Sequence, residues 1–141
     1  MTVFIDTAVL MYATGTSHPL REPCRAIMIQ VGQGQLEAVT SAEVVQEILH
    51  RFMSIGRPEI GLEIARVTMD AFAPVLPITH AQMRRVPALA ARYPNLSARD
   101  LVHVATCIHE GISEILTPDR DFDRVMEIRR IDPTDFASGT A

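Results

Sequence analysis

Apolar positions along this chain fall into two rhythms: short unbroken runs, and longer stretches that recur every three or four residues. The run Val3-Phe4-Ile5, within residues 2–6, reads as a strand buried on both faces. Leu36 to Thr40 predict a second short strand, Val75 to Ile78 a third, Glu114 to Thr117 a fourth and Glu127 to Ile131 a fifth. Pro77 interrupts the third and confines it to a short or edge position, because proline has no N–H to give a ladder. The helical rhythm covers residues 21–31, with Pro23 tolerated in the first turn and Gly32 and Gly34 at the end. Ser41 stands as N-cap of the next helix, where Val44, Val45, Ile48 and Phe52 share one face and Glu43, Glu47 and His50 the other. Further helices are predicted at about 59–72 and at about 79–92, the latter bent at Pro87. Ser97 caps a helix with a buried stripe of Leu101, Val104, Ala105 and Ile108, and Arg120 to Met126 read as a short helical turn. The segment holding Gly15, Ser17, His18 and Pro19 carries no assignable rhythm.

Strands alternating with helices imply an α/β domain with a parallel sheet covered on both faces. One domain over residues 1–136 accounts for the pattern, with a loose tail at 137–141. Ligands of such folds sit beyond the carboxyl ends of the strands. Asp6 closes the first strand and Asp119 follows the fourth, so both fall at that edge. Glu47 lies on the second helix and Asp100 opens the late one, and each reaches the same edge if its helix leans over it. Carboxylates at the margin of a core are costly unless neutralised, and four of them suggest convergence on a divalent cation.

Glu43 and Glu47 form an i, i+4 like-charge pair, which a shared cation or hydrogen-bond network relieves. Glu47 is equally well placed to pair with Arg51, and spacing leaves both readings open. Asp119, Asp121 and Asp123 lack the glycine and the terminal glutamate of a calcium loop; alternate acids there set two carboxylates toward one metal and leave Asp123 in solvent. Hard oxygen donors select Mg²⁺ or Mn²⁺ over zinc and suit phosphodiester hydrolysis.

Composition narrows the chemistry. A net charge of −4 argues against a general nucleic-acid coat but not against a nuclease. All 13 basic residues are arginine. Arginine grips phosphate through a bidentate fork, and the lack of lysine removes every mechanism that needs one. Cys24 and Cys107 lie far apart and read as buried thiols of a reducing cytoplasm. The N-terminus enters a strand with no signal-peptide features, and no apolar run is long enough to span a membrane. His103, three residues after Asp100, is expected as a hydrogen-bonded side chain near the acids and not as a ligand. His18, His50, His80 and His109 have no recognisable spacing.

Four blocks, F-I-D-T-A-V-L, T-S-A-E-V-V-Q-E-I-L-H-R-F, L-S-A-R-D-L-V-H-V-A-T and I-L-T-P-D-R-D-F-D, resemble those of PIN-domain ribonucleases, and among them the VapC-type toxins of toxin–antitoxin pairs. The likeness runs from about Val3 to Ile131. It implies a three-layer α/β/α PIN-like fold with a central, mainly parallel sheet of about five strands. It further implies a cytoplasmic, bacterial or archaeal, Mg²⁺- or Mn²⁺-dependent endoribonuclease that inhibits translation. The resemblance maps the catalytic acids to Asp6, Glu47, Asp100 and Asp119, with Asp6, Asp100 and Asp119 on the metal. Counting from Ser41 favours Glu47 over Glu43, which is kept as a supporting residue with Asp121, Thr7 and Thr117. Such toxins form homodimers and are neutralised by a small antitoxin. Arg51, Arg99 and Arg120 are candidates for holding the RNA phosphates.

Two rivals remain. A haloacid-dehalogenase-type phosphatase needs a second Asp two residues after the first, where Ala8 stands, and a lysine; other Mg²⁺-dependent phosphatases stay open but unmotivated. A catalytically inactive PIN-like scaffold binding RNA or protein needs a lost acid, and all four places are filled.

Overall fold

The computed structural model describes residues 1–137. Four parallel strands, β1 (Val3–Ile5), β2 (Ala38–Val39), β3 (Glu114–Leu116) and β4 (Arg129–Ile131), form one sheet in the order β2-β1-β3-β4. Phe4 pairs with Val39 on one side and Ile115 on the other, and Leu116 pairs with Ile131. Successive side chains of a strand point to opposite faces. All three of β1 are nonetheless buried, so helices cover the sheet on both sides. That is the three-layer arrangement.

The helices are α1 (Thr7–Thr14), α2 (Arg21–Gly32), α3 (Ala42–Ser54), α4 (Pro58–Ala71), α5 (His80–Met83), α6 (Val86–Arg92), α7 (Ala98–Glu110) and α8 (Pro133–Ala137), with a 3-10 turn at Arg120–Arg124. α1 packs on α2, α2 on α8, α3 on α4, and α5 and α6 on α7. Gly61 permits the α3–α4 contact: a Cβ there would sit 2.8 Å from Cβ of Phe52. Ser41 and Ser97 cap α3 and α7 as the sequence predicts, accepting from the N–H of Val44 and Asp100. Gly111, with φ 69°, ends α7 in the left-handed conformation that closes a helix at little cost to glycine.

Four expectations change. The third strand, Val75–Ile78, contributes only a bridge between Ser41 and Leu76, so among the described residues the sheet has four strands and not five. Pro74 and Pro77 on either side supply no N–H with which to extend it. The helix at 79–92 is two helices; Thr79 and Gln82 form a capping box on α5, and Pro87 opens α6 instead of bending a longer helix. The fifth predicted strand shortens to Arg129–Ile131, and the turn after Asp119 ends at Arg124. α1 was absent from the sequence reading because it has no polar face: only Thr14 among its residues is exposed. Of the expected tail, Ala137 ends α8, and residues 138–141 lie outside the described residues.

Candidate active site

Asp6 leaves the carboxyl end of β1 and becomes the N-cap of α1. Its Oδ1 accepts from the Thr7 N–H at 2.8 Å, and its Oδ2 accepts from the Thr117 hydroxyl at 2.7 Å. Thr117 follows β3, the neighbour of β1, so one side-chain bond ties two adjacent strand ends. The Thr117 hydroxyl in turn accepts from the Asp119 N–H at 3.1 Å. Asp6 is only 6% exposed. Burial pushes its carboxyl above the usual range, against the pull of His103 and the Thr117 hydrogen bond.

α3 and α7 bring a second pair to the same place. His103 is completely buried; its Nε2 lies 2.5 Å from Glu47 Oε1 and 3.5 Å from Asp6 Oδ1. The ring tilts against Phe4 with centroids 5.5 Å apart. Burial disfavours a charged imidazole. The Glu47 hydrogen bond and the charges of Asp6, Glu47 and Asp100 outweigh it and raise the pKa.

Asp100, in the first turn of α7, and Asp119, which caps the 3-10 turn, form the outer rim. Asp119 Oδ1 accepts from the Asp121 N–H at 2.9 Å. Carboxylate oxygens of Asp100, Asp119 and Asp121 lie within 4.8 Å of one another. The Asp100 carboxyl is pushed up to about 6, first by burial and then by the charges of Asp6 and Asp119.

A recess of about 200 Å³ is lined by Asp6, Thr7, Glu47, Asp100 and Asp119, with Ala8, Met11, Arg51 and Arg99. Thus the four acids singled out in the sequence share one site. Asp121 joins at the rim, and Thr117 supports Asp6 from behind. Glu43 is outside the lining; burial, then the charge of Glu47, raises its carboxyl, while His103 and Arg99 oppose this. Arg51 and Arg99 reach the recess, whereas Arg120 is exposed at the start of the turn and does not line it. Asp123 is not simply solvated: Arg130 Nε donates to its Oδ1 at 2.7 Å. Arg130 Nη1 also donates to the Thr117 carbonyl and to Asp132 Oδ2, each at 3.1 Å. Ala8 and Met11 escape the sequence reading because α1 itself does.

The residues fit a hard divalent cation. The donors are carboxylate oxygens alone, the burial and like charges that raise Asp100 are what a cation would offset, and among the described residues the buried Thr7 hydroxyl, at the recess, has no hydrogen-bond partner.

Residues 3–128 match the family model of the PIN domain. The chain belongs to the PIN domain family. This PIN domain is 38% identical over 117 residues to Ribonuclease VapC23 of Mycobacterium tuberculosis, covering 83% of this chain and 92% of that protein. It is 33% identical over 129 residues to Ribonuclease VapC13 of the same organism, covering 92% and 98%. Among solved structures, FitAcB from Neisseria gonorrhoeae resembles the PIN domain with a TM-score of 0.74 at 15% identity, over 95% of this chain and 99% of that one. VapBC2 from Rickettsia felis, bound to a DNA fragment from its promoter, gives 0.73 at 12% identity, over 94% and 98%. At that identity the two structures speak for the fold.

Proposed function

We propose that the acidic recess is a divalent-cation centre at which this VapC-type ribonuclease hydrolyses RNA phosphodiester bonds. The observation that carries the reading is the convergence of Asp100, Asp119 and Asp121 beside the buried Asp6. Asp6, Asp100 and Asp119 would hold Mg²⁺ or Mn²⁺, with Asp121 at the rim and Glu47 behind. A cation so bound lowers the pKa of water and offsets the charge that builds on phosphate oxygens.

The chain's own groups supply the rest. Thr7 N–H and Thr117 hydroxyl fix both oxygens of Asp6, so that carboxylate meets its ligand without losing rotamer freedom at that moment. Arg51 and Arg99 draw the RNA phosphate toward the acids, since a guanidinium fork matches two phosphate oxygens. Arg120 extends the basic path outside the recess. The low net charge of the chain leaves these arginines as local handles and not as part of a general basic surface.

The relatives named as VapC ribonucleases, with neighbours solved as VapBC complexes, support a small antitoxin as partner; a homodimer is the assembly we propose. Among the described residues no helix is long and apolar enough to cross a membrane. We assign the protein to the cytoplasm of a bacterium or archaeon by analogy with these relatives.

The test is cleavage of RNA by the purified protein with Mg²⁺ or Mn²⁺, with EDTA and the Asp6→Asn variant as controls. Cleavage that needs the cation and is lost in the variant supports the reading. Equal cleavage by Asp6→Asn traces the activity to a contaminant and removes the assignment.

A further inference from the structure

We propose that His103 is a positioning residue for the acidic centre: its Nε2–H holds Glu47 in the recess, beside Asp6, and so keeps the Glu47 charge behind the acids that would hold the cation. The inference rests on the recess being a divalent-cation site.

Left to its helix, Glu47 would not stay there. Glu43 repels it from one turn away, and Arg51, one turn on, offers it an exposed partner. Instead Glu47 turns inward, its side chain 15% exposed, and Oε1 accepts from His103 at 2.5 Å. The bond to His103 anchors one oxygen of the carboxylate at the recess.

His103 is suited to the task by position and not merely by proximity. It sits three residues after Asp100, so the helix that delivers Asp100 to the rim delivers His103 to the interior. Phe4 and complete burial fix the ring. The same Nε2 lies 3.5 Å from Asp6 Oδ1, which places one donor between two carboxylates that otherwise repel. Among the described residues Nδ1 has no hydrogen-bond partner. A histidine kept only for core architecture engages both nitrogens, because a buried polar atom without a partner is costly. Here the polar engagement of the ring is directed at the acids alone.

The experiment compares His103→Leu, His103→Gln, Glu47→Gln and the His103→Leu/Glu47→Gln double variant, all in the full chain. Mn²⁺ affinity is read by titration calorimetry without RNA, kcat and KM are read with RNA, and folding is followed by thermal melting. Loss of an outer-shell partner weakens metal affinity about 10- to 100-fold, and His103→Leu is expected in that range with kcat lowered and KM for RNA unchanged. His103→Gln, whose amide keeps a donor toward Glu47, should recover most of the affinity. The double variant should be no weaker than Glu47→Gln alone, because the two residues act as one unit.

Native Mn²⁺ affinity in a folded His103→Leu variant overturns the proposal, as does a double variant that shows the sum of two independent losses. If His103→Leu does not fold, Glu47→Gln decides, since it keeps the imidazole in place; native affinity there is equally fatal. A wild-type chain that binds no Mn²⁺ removes the cation reading itself. Binding by the wild type with no response to His103 or Glu47 removes only this inference.

Discussion

The inner and outer halves of the recess hold the same functional group in opposite circumstances. Within it, Asp6 and Glu47 accept from Thr7, Thr117 and His103, so their carboxylates are oriented before any ligand arrives. At the rim, carboxylate oxygens of Asp100, Asp119 and Asp121 lie within 4.8 Å of one another, and burial with the charges of Asp6 and Asp119 lifts Asp100 to about 6. Hydrogen bonds order the inner half, whereas close-set carboxylates mark the outer one. Replacing an inner acid should therefore disturb the fold and the site together, whereas replacing an outer one should cost function and relieve the fold.

The largest expected effect is on chemistry at the rim. Asp119→Asn removes one of the converging oxygens and should lower RNA cleavage by at least about 100-fold, measured as kcat/KM at saturating Mg²⁺. Melting temperature should hold in the metal-free protein; a fall of many degrees would place Asp119 with the inner acids. Next, Thr117→Val removes the donor to Asp6 Oδ2 and also the acceptor of the Asp119 N–H. A stability loss of about 1–3 kcal/mol in urea unfolding is expected, because a buried acceptor is left without its partner. Mn²⁺ affinity should weaken in parallel. An unchanged midpoint would show that Asp6 does not depend on this bond.

The third prediction concerns pH. Folded Asp100 protonates near 6, above its ordinary value of 3.8, so the folded state takes up its proton first as pH falls. This group therefore opposes folding at neutral pH and ceases to do so as pH drops through about 6 toward 4. Urea unfolding of metal-free protein should show Asp100→Asn more stable than wild type at pH 7 by about 1 kcal/mol, after discounting for solvent screening. The difference should shrink toward pH 4 and at saturating Mg²⁺. A variant less stable than wild type at pH 7 would remove this account of a buried, crowded Asp100. Smallest is Arg120→Ala: the arginine is exposed outside the recess and proposed to meet a phosphate, so its removal should raise KM for RNA a few-fold and leave Mn²⁺ affinity unchanged. Unchanged KM rejects the assigned role.

Much of this was legible in the sequence because local signals and burial agree. Val3-Phe4-Ile5 is apolar throughout because both faces of β1 are covered, and Ser41 and Ser97 announce the helices that carry Glu47 and Asp100. Positions of the acids follow from those elements. What they touch follows only in part: His103 was expected as a hydrogen-bonded neighbour of the acids, and is one, but which acid it holds was open. Whether Glu47 turns to Arg51 or inward depends on His103, 56 residues away, and no spacing along α3 encodes that contact. α1 was hidden for a related reason: a helix covered nearly all round has no polar stripe to mark its period. The edge at Val75–Ile78 looked like a strand by composition, but pairing needs donors that Pro74 and Pro77 do not have.

Arg130 gives the absence of lysine a second meaning. Its nearly buried guanidinium spans Asp123, Asp132 and the carbonyl of Thr117, bracing the strand end and turn from which Asp119 and Asp121 project. An ammonium is a point charge on a flexible stem and does not brace three acceptors set in different directions. Arginine is thus a building material here as well as the proposed grip on RNA. Anyone recoding this chain with lysines to alter its solubility should leave position 130 untouched: the first thing to slacken would be the platform under the acids, well before any loss of hold on RNA.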